Sequence, residues 1–233
     1  MSTSLPSDVL TEEKKDSGTS WLPYVLPMGL FMALTYAESY LPKAQYPLVY
    51  SLKALAVTVA LIWAARAWRH EITFDGKSIA LGVVAGIIGV IGWVGLNEYI
   101  PYPKLGSREA LNPFESIDPQ WRNAFLAVRF YGLAVMVPIM EEVFWRSWML
   151  RYATDQDKWA SLPIGVFSTL AFFIVCGLFA GVHPEWLVAF LFAALMAGLL
   201  HYTKSLTACI VAHAVTNLAL GVYVLQTGDW KYW

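Results

Sequence analysis

The chain alternates between long apolar runs and short polar or turn-forming segments. An α-helix needs about 20 mostly apolar residues to cross the hydrocarbon core of a bilayer. Seven runs approach or exceed that length, at approximately 21–41, 47–67, 78–97, 123–150, 160–182, 186–202 and 205–226. This pattern predicts an all-α fold, a polytopic transmembrane helix bundle with about seven spans. Eight spans are the alternative count.

The apolar runs divide the chain into four parts. Residues 1–20 are rich in Ser and Thr and mix acidic with basic residues at 12–15, unlike the basic start of a signal peptide. They are predicted to form a disordered cytoplasmic tail. Residues 21–120 are predicted to hold N-terminal transmembrane helices and a long polar loop, residues 121–226 a membrane core with the candidate chemistry, and residues 227–233 a C-terminal tail.

The loops between the predicted spans differ in their Lys and Arg content. Cations accumulate in cytoplasmic loops of membrane proteins. Nine cations belong to the side of the N-terminus, namely Lys14, Lys15, Arg66, Arg69, Lys77, Arg146, Arg151, Lys158 and Lys204. Five belong to the other side, namely Lys43, Lys104, Arg108, Arg122 and Lys231. The bias predicts a cytoplasmic N-terminus, and seven spans would place the C-terminus at the opposite interface.

The composition indicates a membrane environment and limits the classes of binding partner. Hydrophobic residues make up 58% of the chain and charged residues only 14%, well below the roughly 25% charged fraction of soluble domains. A net charge of −1 provides no basic surface for nucleic acid, so lipid and not nucleic acid is the expected partner. Cys176 and Cys209 lie in apolar runs, where free Cys behaves as a small hydrophobic residue.

Several ionisable residues fall inside the predicted spans. Each costs roughly 2.5 to 3.5 kcal/mol to insert, so each needs a partner, access to the interface or a function. Glu38 and Lys53 flank the first interhelical turn at similar distances and are predicted to pair. Arg129 is predicted to reach the lipid headgroups from the start of the fourth span.

A second polar set lies deeper and comes from three different spans. It comprises Glu141, Glu142 and Arg146 in EEVFWR, His183 in FAGVH, and His213 and Asn217 in HAVTN. Glu142 and Arg146 share a helical face, as do His213 and Asn217, because residues four apart are neighbours on a helix. Glu141 points about 100° away from Glu142, so one Glu is predicted to pair with Arg146 while the other serves the site.

These residue types together suit the hydrolysis of a carbonyl compound. A carboxylate and an imidazole can share a water molecule and remove its proton. A second His and an Asn amide supply donors for a developing oxyanion. Glu141, His183 and His213 are also a ligand set for a divalent metal such as zinc, which would activate the water instead. The residues alone leave both forms of activation open.

Two other classes of function compete with hydrolysis. Polar side chains also hold membrane bundles together through interhelical hydrogen bonds, which would suit a non-catalytic scaffold. A Glu and His chain can relay protons in a transporter, although the sequence contains no repeat halves of the kind that transporters use.

EEVFWR, FAGVH and HAVTN occur in this order, each on a predicted membrane helix. They resemble the EExxxR, FxxxH and HxxxN motifs of the CAAX protease and bacteriocin-processing family. The chain is similar in particular to a type II CAAX prenyl endopeptidase. The resemblance covers about residues 120–225 and makes residues 121–226 a CAAX protease-like catalytic core.

The resemblance implies an intramembrane endopeptidase with a wet, conical cavity that opens towards the cytoplasm and the lipid. By position, Glu141 and His183 would activate the water, His213 and Asn217 would stabilise the oxyanion, and Glu142 and Arg146 would shape and charge the site. Family members are described both as metalloproteases and as metal-independent glutamate proteases. The chain lacks an HExxH helix, which favours glutamate and water and leaves a metal open.

The substrate implied is a peptide or protein at the membrane, including a prenylated CAAX-type substrate. The family also contains a bacterial branch associated with exosortase systems, so prenylation does not follow from the motifs. Its non-catalytic scaffolds and bacteriocin-immunity proteins supply the alternative function.

The positions of Glu141 and His183 along their helices lead to one further prediction. The turn near Asp155 is about 15 residues from Glu141 but about 26 from His183, a difference of roughly 16 Å along ideal helices. The fourth helix is therefore predicted to continue beyond Arg151, or the fifth to begin late or tilt strongly, with Pro163 suited to a late start.

Overall fold

The computed structural model describes residues 20–106 and 111–233. Most of the predicted tail, with Lys14 and Lys15, lies outside the described residues, as does Arg108. The described part is helical and contains no strand, which confirms the all-α prediction. The helices are α1 (Leu22–Glu38), α2 (Tyr46–Trp68), α3 (Gly76–Tyr99), α4 (Pro113–Ser116), α5 (Pro119–Thr154), α6 (Thr169–Gly181), α7 (Trp186–Thr203) and α8 (Leu206–Thr227). Short 3₁₀ turns occupy Lys43–Gln45, Arg69–Glu71, Trp159–Ser161 and Trp230–Tyr232.

Five helical stretches in the described residues are long and apolar enough to cross a membrane, so the count of seven spans is not confirmed. They are Lys43–Glu71, Gly76–Tyr99, Pro119–Thr154, Trp186–Thr203 and Leu206–Thr227. Helix α1 has 17 residues and α6 only 13, which gives α6 a length of about 20 Å against a hydrocarbon thickness of about 30 Å.

The short helix α6 explains how Glu141 and His183 can lie at the same depth in the bundle. Gly165 has φ of +77°, and the segment around it is not helical. Ser168 caps the N-terminus of α6 by accepting a hydrogen bond from the Ala171 N–H. The predicted late start of this helix is therefore confirmed, and α5 continues to Thr154 as predicted.

The helices run alternately between two ends of the bundle. We call the end where α1 begins the near face; there Arg151 forms an ion pair with Glu71 at 2.7 Å. The opposite end is the far face, where Trp186 Nε1 donates to the Pro103 carbonyl at 2.8 Å. The 3₁₀ turn after α8 lies at the far face, opposite the start of α1.

Helices α3 and α8 pack with their backbones in close contact through glycines. A Cβ added at Gly82 would lie 2.6 Å from the Ala208 carbonyl oxygen, and one at Gly86 would lie 2.6 Å from that of Ala212. The Thr216 hydroxyl donates across the interface to the Gly86 carbonyl at 2.9 Å. Small residues with such spacing typically let membrane helices approach closely, so α3 fixes the helix that carries the HAVTN motif.

Helix α5 departs from regular α geometry in two places. Its α-helical segments Pro119–Tyr131, Val137–Glu142 and Leu150–Thr154 are separated by π-helical turns at Gly132–Met136 and Val143–Met149. Such turns occur frequently at functional sites. The two turns bracket the segment that carries Glu141 and Glu142.

Gly86→Ala tests the α3–α8 contact, and Gly92→Ala on the same helix is the matched control. A Cβ at Gly92 would have no atom within 4 Å, whereas one at Gly86 would be 2.6 Å from a backbone oxygen. We expect Gly86→Ala to lower the melting temperature in detergent by about 3 to 10 °C, because overpacking costs about 1 to 3 kcal/mol. Gly92→Ala should not lower it, and equal melting temperatures for the two variants would contradict the close contact.

Candidate active site

A cavity of about 460 Å³ lies between the helices and extends from the middle of the bundle towards the far face. Glu141, His183, His213 and Asn217 all line it, although they come from α5, the end of α6 and α8. The structure thus brings the four predicted catalytic residues to one space. The two supporting residues, Glu142 and Arg146, are fully buried behind its wall.

His183 has a fixed orientation at the end of α6. Its Nδ1 lies 2.7 Å from the Phe179 carbonyl oxygen, which can only accept, so Nδ1 carries the proton. The imidazole stacks on the Phe179 ring at 4.5 Å and meets Trp93 edge to face at 6.0 Å. The remaining nitrogen, Nε2, is therefore a proton acceptor when the ring is neutral.

Glu142 joins α5 to α8 through one carboxylate oxygen and pairs with Arg146 on α5 through the other. Oε1 accepts from His213 Nδ1 at 2.8 Å, and Oε2 lies 3.3 Å from Arg146 Nε. The predicted pairing of one Glu with Arg146 is confirmed. The Arg146 guanidinium also lies over the Phe179 ring at 5.3 Å, so the same buried group reaches α6. One network thereby positions side chains from all three motif helices.

Asn217 is held by a backbone oxygen that the π-helical turn exposes. Val137 N–H donates to the Gly132 carbonyl, and the next residue, Pro138, has no N–H to offer to Leu133. The Leu133 carbonyl instead accepts from Asn217 Nδ2 at 2.9 Å. One amide hydrogen of Asn217 remains for a ligand in the cavity, because a primary amide has two.

The site therefore presents two kinds of group to the same space. Glu141, buried in the cavity wall, and His183 Nε2 are proton acceptors. Asn217 Nδ2 is a donor, and His213 offers the nitrogen that does not face Glu142. Acceptors for a water proton and donors for a carbonyl oxygen are both available.

The predicted zinc ligands do not form a metal site in this arrangement. In residues 20–106 and 111–233, no group of three or more His, Cys, Asp or Glu side chains converges in a way that could hold a metal ion. Glu141, His183 and His213 line the cavity from three different helices. We therefore derive no chemical step through a metal.

Residues before position 120 contribute to the cavity, which sequence analysis missed. Trp93 contacts His183, and Lys53 lines the far end. The predicted ion pair between Lys53 and Glu38 is confirmed.

The prediction that Arg129 reaches the headgroups is wrong, because its guanidinium lies over the Tyr50 ring in the cavity wall, 4.8 Å from the ring centre. The sequence signal for this contribution is the presence of ionisable residues, Lys53 and Arg129, within apolar runs.

Residues 123–219 match the model of the Rce1-like type II CAAX prenyl endopeptidase family. The matched segment contains all three motifs and confirms the resemblance seen in the sequence. A search of curated proteins and a search of solved structures gave no match. The Rce1-like segment covers less than half of the chain. It indicates a peptidase that acts on a peptide or protein at the membrane.

Arg146→Met tests whether the buried ion pair supports the Rce1-like core. Without Arg146, the buried Glu142 would lose its ion-pair partner, and breaking a buried pair from one side costs about 3 to 5 kcal/mol. We expect a large loss of folded protein and a lower melting temperature in detergent.

The double variant Glu142→Gln/Arg146→Met should recover part of this loss, because it leaves no isolated charge. Arg66→Gln, at an exposed position of α2, serves as the control. An Arg146→Met protein as stable as Arg66→Gln would show that the pair is dispensable.

Proposed function

We propose that this chain is an intramembrane endopeptidase that activates water with Glu141 and His183 and stabilises the oxyanion with His213 and Asn217. The observation that carries the proposal is the convergence of these four side chains on one cavity of about 460 Å³. That volume is within the range of about 300 to 1,000 Å³ that is usual for ligand sites. The family match supports the same class of reaction.

The chemistry begins with a water molecule between the Glu141 carboxylate and His183 Nε2. Glu141 accepts a proton as the water oxygen attacks the carbonyl carbon of the scissile peptide bond. The C–N bond then breaks, and the proton passes from the Glu141 carboxyl to the departing amine. His183 holds the water in line, since its Nδ1 proton is committed to the Phe179 carbonyl.

The oxyanion of the tetrahedral intermediate lies opposite this pair in the proposal. Asn217 donates its second amide hydrogen, while the first stays on the Leu133 carbonyl. In the proposal His213 donates from Nε2, which requires a proton on both ring nitrogens because Nδ1 faces the Glu142 carboxylate at 2.8 Å.

The cavities favour a peptidase over a transporter. A second cavity of about 430 Å³ lies at the near face and is lined by residues such as Glu71, Arg151 and Lys204. In the described part of the chain these two cavities share no lining residue. The fully buried Glu142 and Arg146 lie beyond the inner end of the first cavity. A transporter would need a path that continues to both faces.

Cleavage of a quenched-fluorescent farnesylated CAAX peptide by the purified protein in lipid tests this function. We expect Glu141→Gln and His213→Ala to lower kcat by about 100-fold or more, because each acts in the transition state. Both variants should still insert into the membrane. Glu115→Gln, an exposed carboxylate on α4, is the matched control and should cleave like the wild type.

The outcomes separate the alternatives. Cleavage that persists in Glu141→Gln would refute the assigned base, and cleavage that a strong chelator stops would assign the water to a metal. An absence of cleavage across peptides with and without a prenyl group would favour the scaffold or immunity function of the same fold.

A further inference from the structure

The second cavity, of about 430 Å³ at the near face, takes no part in the proposed hydrolysis. We call it the near-face pocket. Its lining combines side chains from α1, the turn after α2, α5 and the end of α7, among them Tyr24, Glu71, Arg151 and Lys204. The lining also includes Trp159, whose ring meets Tyr24 edge to face at 5.3 Å. A cavity of this volume is large enough to hold a small ligand or a headgroup.

The near-face pocket has an excess of positive charge. Glu71 is the only carboxylate among the described residues that line it, and both of its oxygens are engaged. Oε1 accepts from the Tyr24 hydroxyl at 3.2 Å and from Arg151 Nη2 at 2.7 Å, while Oε2 accepts from the Ser147 hydroxyl. Glu71 and Arg151 therefore cancel each other's charge. Lys204 adds a positive charge that no other carboxylate of the lining offsets.

Hydrogen-bond donors remain in the pocket after the protein's own bonds are counted. Four of the five N–H groups of Arg151 donate within the protein, which leaves one on Nη1. Lys204 Nζ donates to the Gly165 carbonyl at 2.7 Å and lies 3.2 Å from His201 Nδ1, so at least one of its three N–H groups is available. His70 lines the same pocket and can add another donor. Several donors and an excess positive charge suit an anion with several oxygens, such as a phosphate.

Lys204 is held in an unusual backbone conformation. Its φ of +54° makes it the only residue other than glycine with a left-handed φ in residues 20–106 and 111–233. It ends α7 at a position where Gly or Asn is usual, because a Cβ is disfavoured in this conformation. Gly165 leaves room for the Lys204 side chain, since a Cβ on Gly165 would lie 2.8 Å from Lys204 Cδ. The fold therefore accepts backbone strain to keep this cation in the pocket, and such strain is often associated with function.

Helix α6, next to the pocket, is too short to match the bilayer. It spans about 20 Å against a hydrocarbon thickness of about 30 Å, and its late start at Thr169 places part of this shortfall at the near face. A bilayer adapts to a short hydrophobic stretch by thinning locally, which draws headgroups inward. Residues 162–164, which precede α6, line the near-face pocket. A lipid headgroup beside α6 therefore lies at the level of the pocket.

Exposed apolar side chains connect the pocket to the surface of α6. Phe167, Leu170 and Phe173 are each more than half exposed. The Phe167 ring lies 5.4 Å from the His201 ring, and His201 lies beside the Lys204 ammonium. Acyl chains on this surface would place their phosphate next to Lys204. This continuity favours a lipid over a soluble phosphate as the occupant.

We propose that the near-face pocket binds the phosphate of an anionic phospholipid, with Lys204 and Arg151 as donors and the acyl chains along α6. Phosphatidylglycerol represents this class, because its headgroup brings no cation into a positive pocket, whereas that of phosphatidylcholine does. The bound phosphate would connect α5, through Arg151, to the end of α7. The site lies outside the central cavity and does not depend on the proposed peptidase function.

Native mass spectrometry of the purified full chain in detergent tests the site during a titration with phosphatidylglycerol. We expect Lys204→Asn to raise the Kd of this lipid at least about tenfold, because hydrogen bonds to a charged group are lost. Asn tolerates the left-handed backbone, so the variant should fold. Lys158→Asn is the matched control, since Lys158 is exposed in the near-face loop but does not line the pocket. It should bind like the wild type, and Lys204→Arg should retain most of the affinity.

Two further probes identify the occupant. Phosphatidylcholine should bind to the wild type more weakly than phosphatidylglycerol, and inorganic phosphate in excess should leave phosphatidylglycerol bound. Displacement by inorganic phosphate would assign the pocket to a soluble phosphate and overturn the lipid proposal. Equal Kd values of phosphatidylglycerol for the wild type and Lys204→Asn would also overturn it, as would an equal loss in Lys158→Asn.

Melting temperatures in detergent separate lipid binding from a purely structural role of Lys204. Without lipid, we expect Lys204→Asn to melt close to the wild type, because the relief of backbone strain offsets the lost hydrogen bond to Gly165. Phosphatidylglycerol should then raise the melting temperature of the wild type more than that of the variant, because a ligand stabilises the state that binds it. A variant that melts lower without lipid and gains as much as the wild type from lipid would reduce Lys204 to a contact between α7 and Gly165 and refute the proposal.

Discussion

The ion pair between Glu142 and Arg146 is the interaction on which the rest of the site depends. Both side chains are fully buried, so neither charge is tolerable without the other. Glu142 extends the pair to His213 on α8, and Arg146 extends it to the Phe179 ring on α6. The pair therefore fixes the relative positions of the three motif helices. Both side chains are absent from the lining of the central cavity and of the polar pocket at the near face.

The irregular geometry of α5 serves the same site. In a regular α-helix the Leu133 carbonyl would accept from the Val137 N–H. In the π-helical turn Val137 donates to Gly132 instead, and Pro138 cannot donate to Leu133, so that carbonyl needs another partner in an apolar environment. Asn217 satisfies it and is itself oriented by doing so. The π-helical turn at Gly132–Met136 also lies between Arg129 and Glu141, which line one wall although twelve residues separate them. The π-helical turn thus leaves a backbone carbonyl that orients Asn217, and it lies between two residues of one cavity wall, Arg129 and Glu141.

Helix α3 supports the site from the side that lacks motifs. Its glycines bring the α8 backbone close enough for a hydrogen bond from Thr216, the residue directly before Asn217. Trp93 on the same helix holds one edge of the His183 ring. The N-terminal helices α1 and α2 add the charged far end of the cavity. The motif helices and the N-terminal helices therefore line one cavity.

The sequence by itself determined the helical class, the membrane environment, the three motifs and two local pairings, of Glu142 with Arg146 and of Glu38 with Lys53. These follow from hydropathy, helical spacing and the cost of an isolated charge in lipid, which are all local quantities. Tertiary structure decided that α6 is too short to span, that Arg129 faces the cavity, and that Glu142 meets His213. Contacts between helices depend on tilt, on helix ends and on π-helical turns, and the spacing of residues along one helix contains none of that information. The same reason explains why the zinc ligand set looked plausible in sequence, although the described residues contain no group of three or more His, Cys, Asp or Glu side chains that could hold a metal ion.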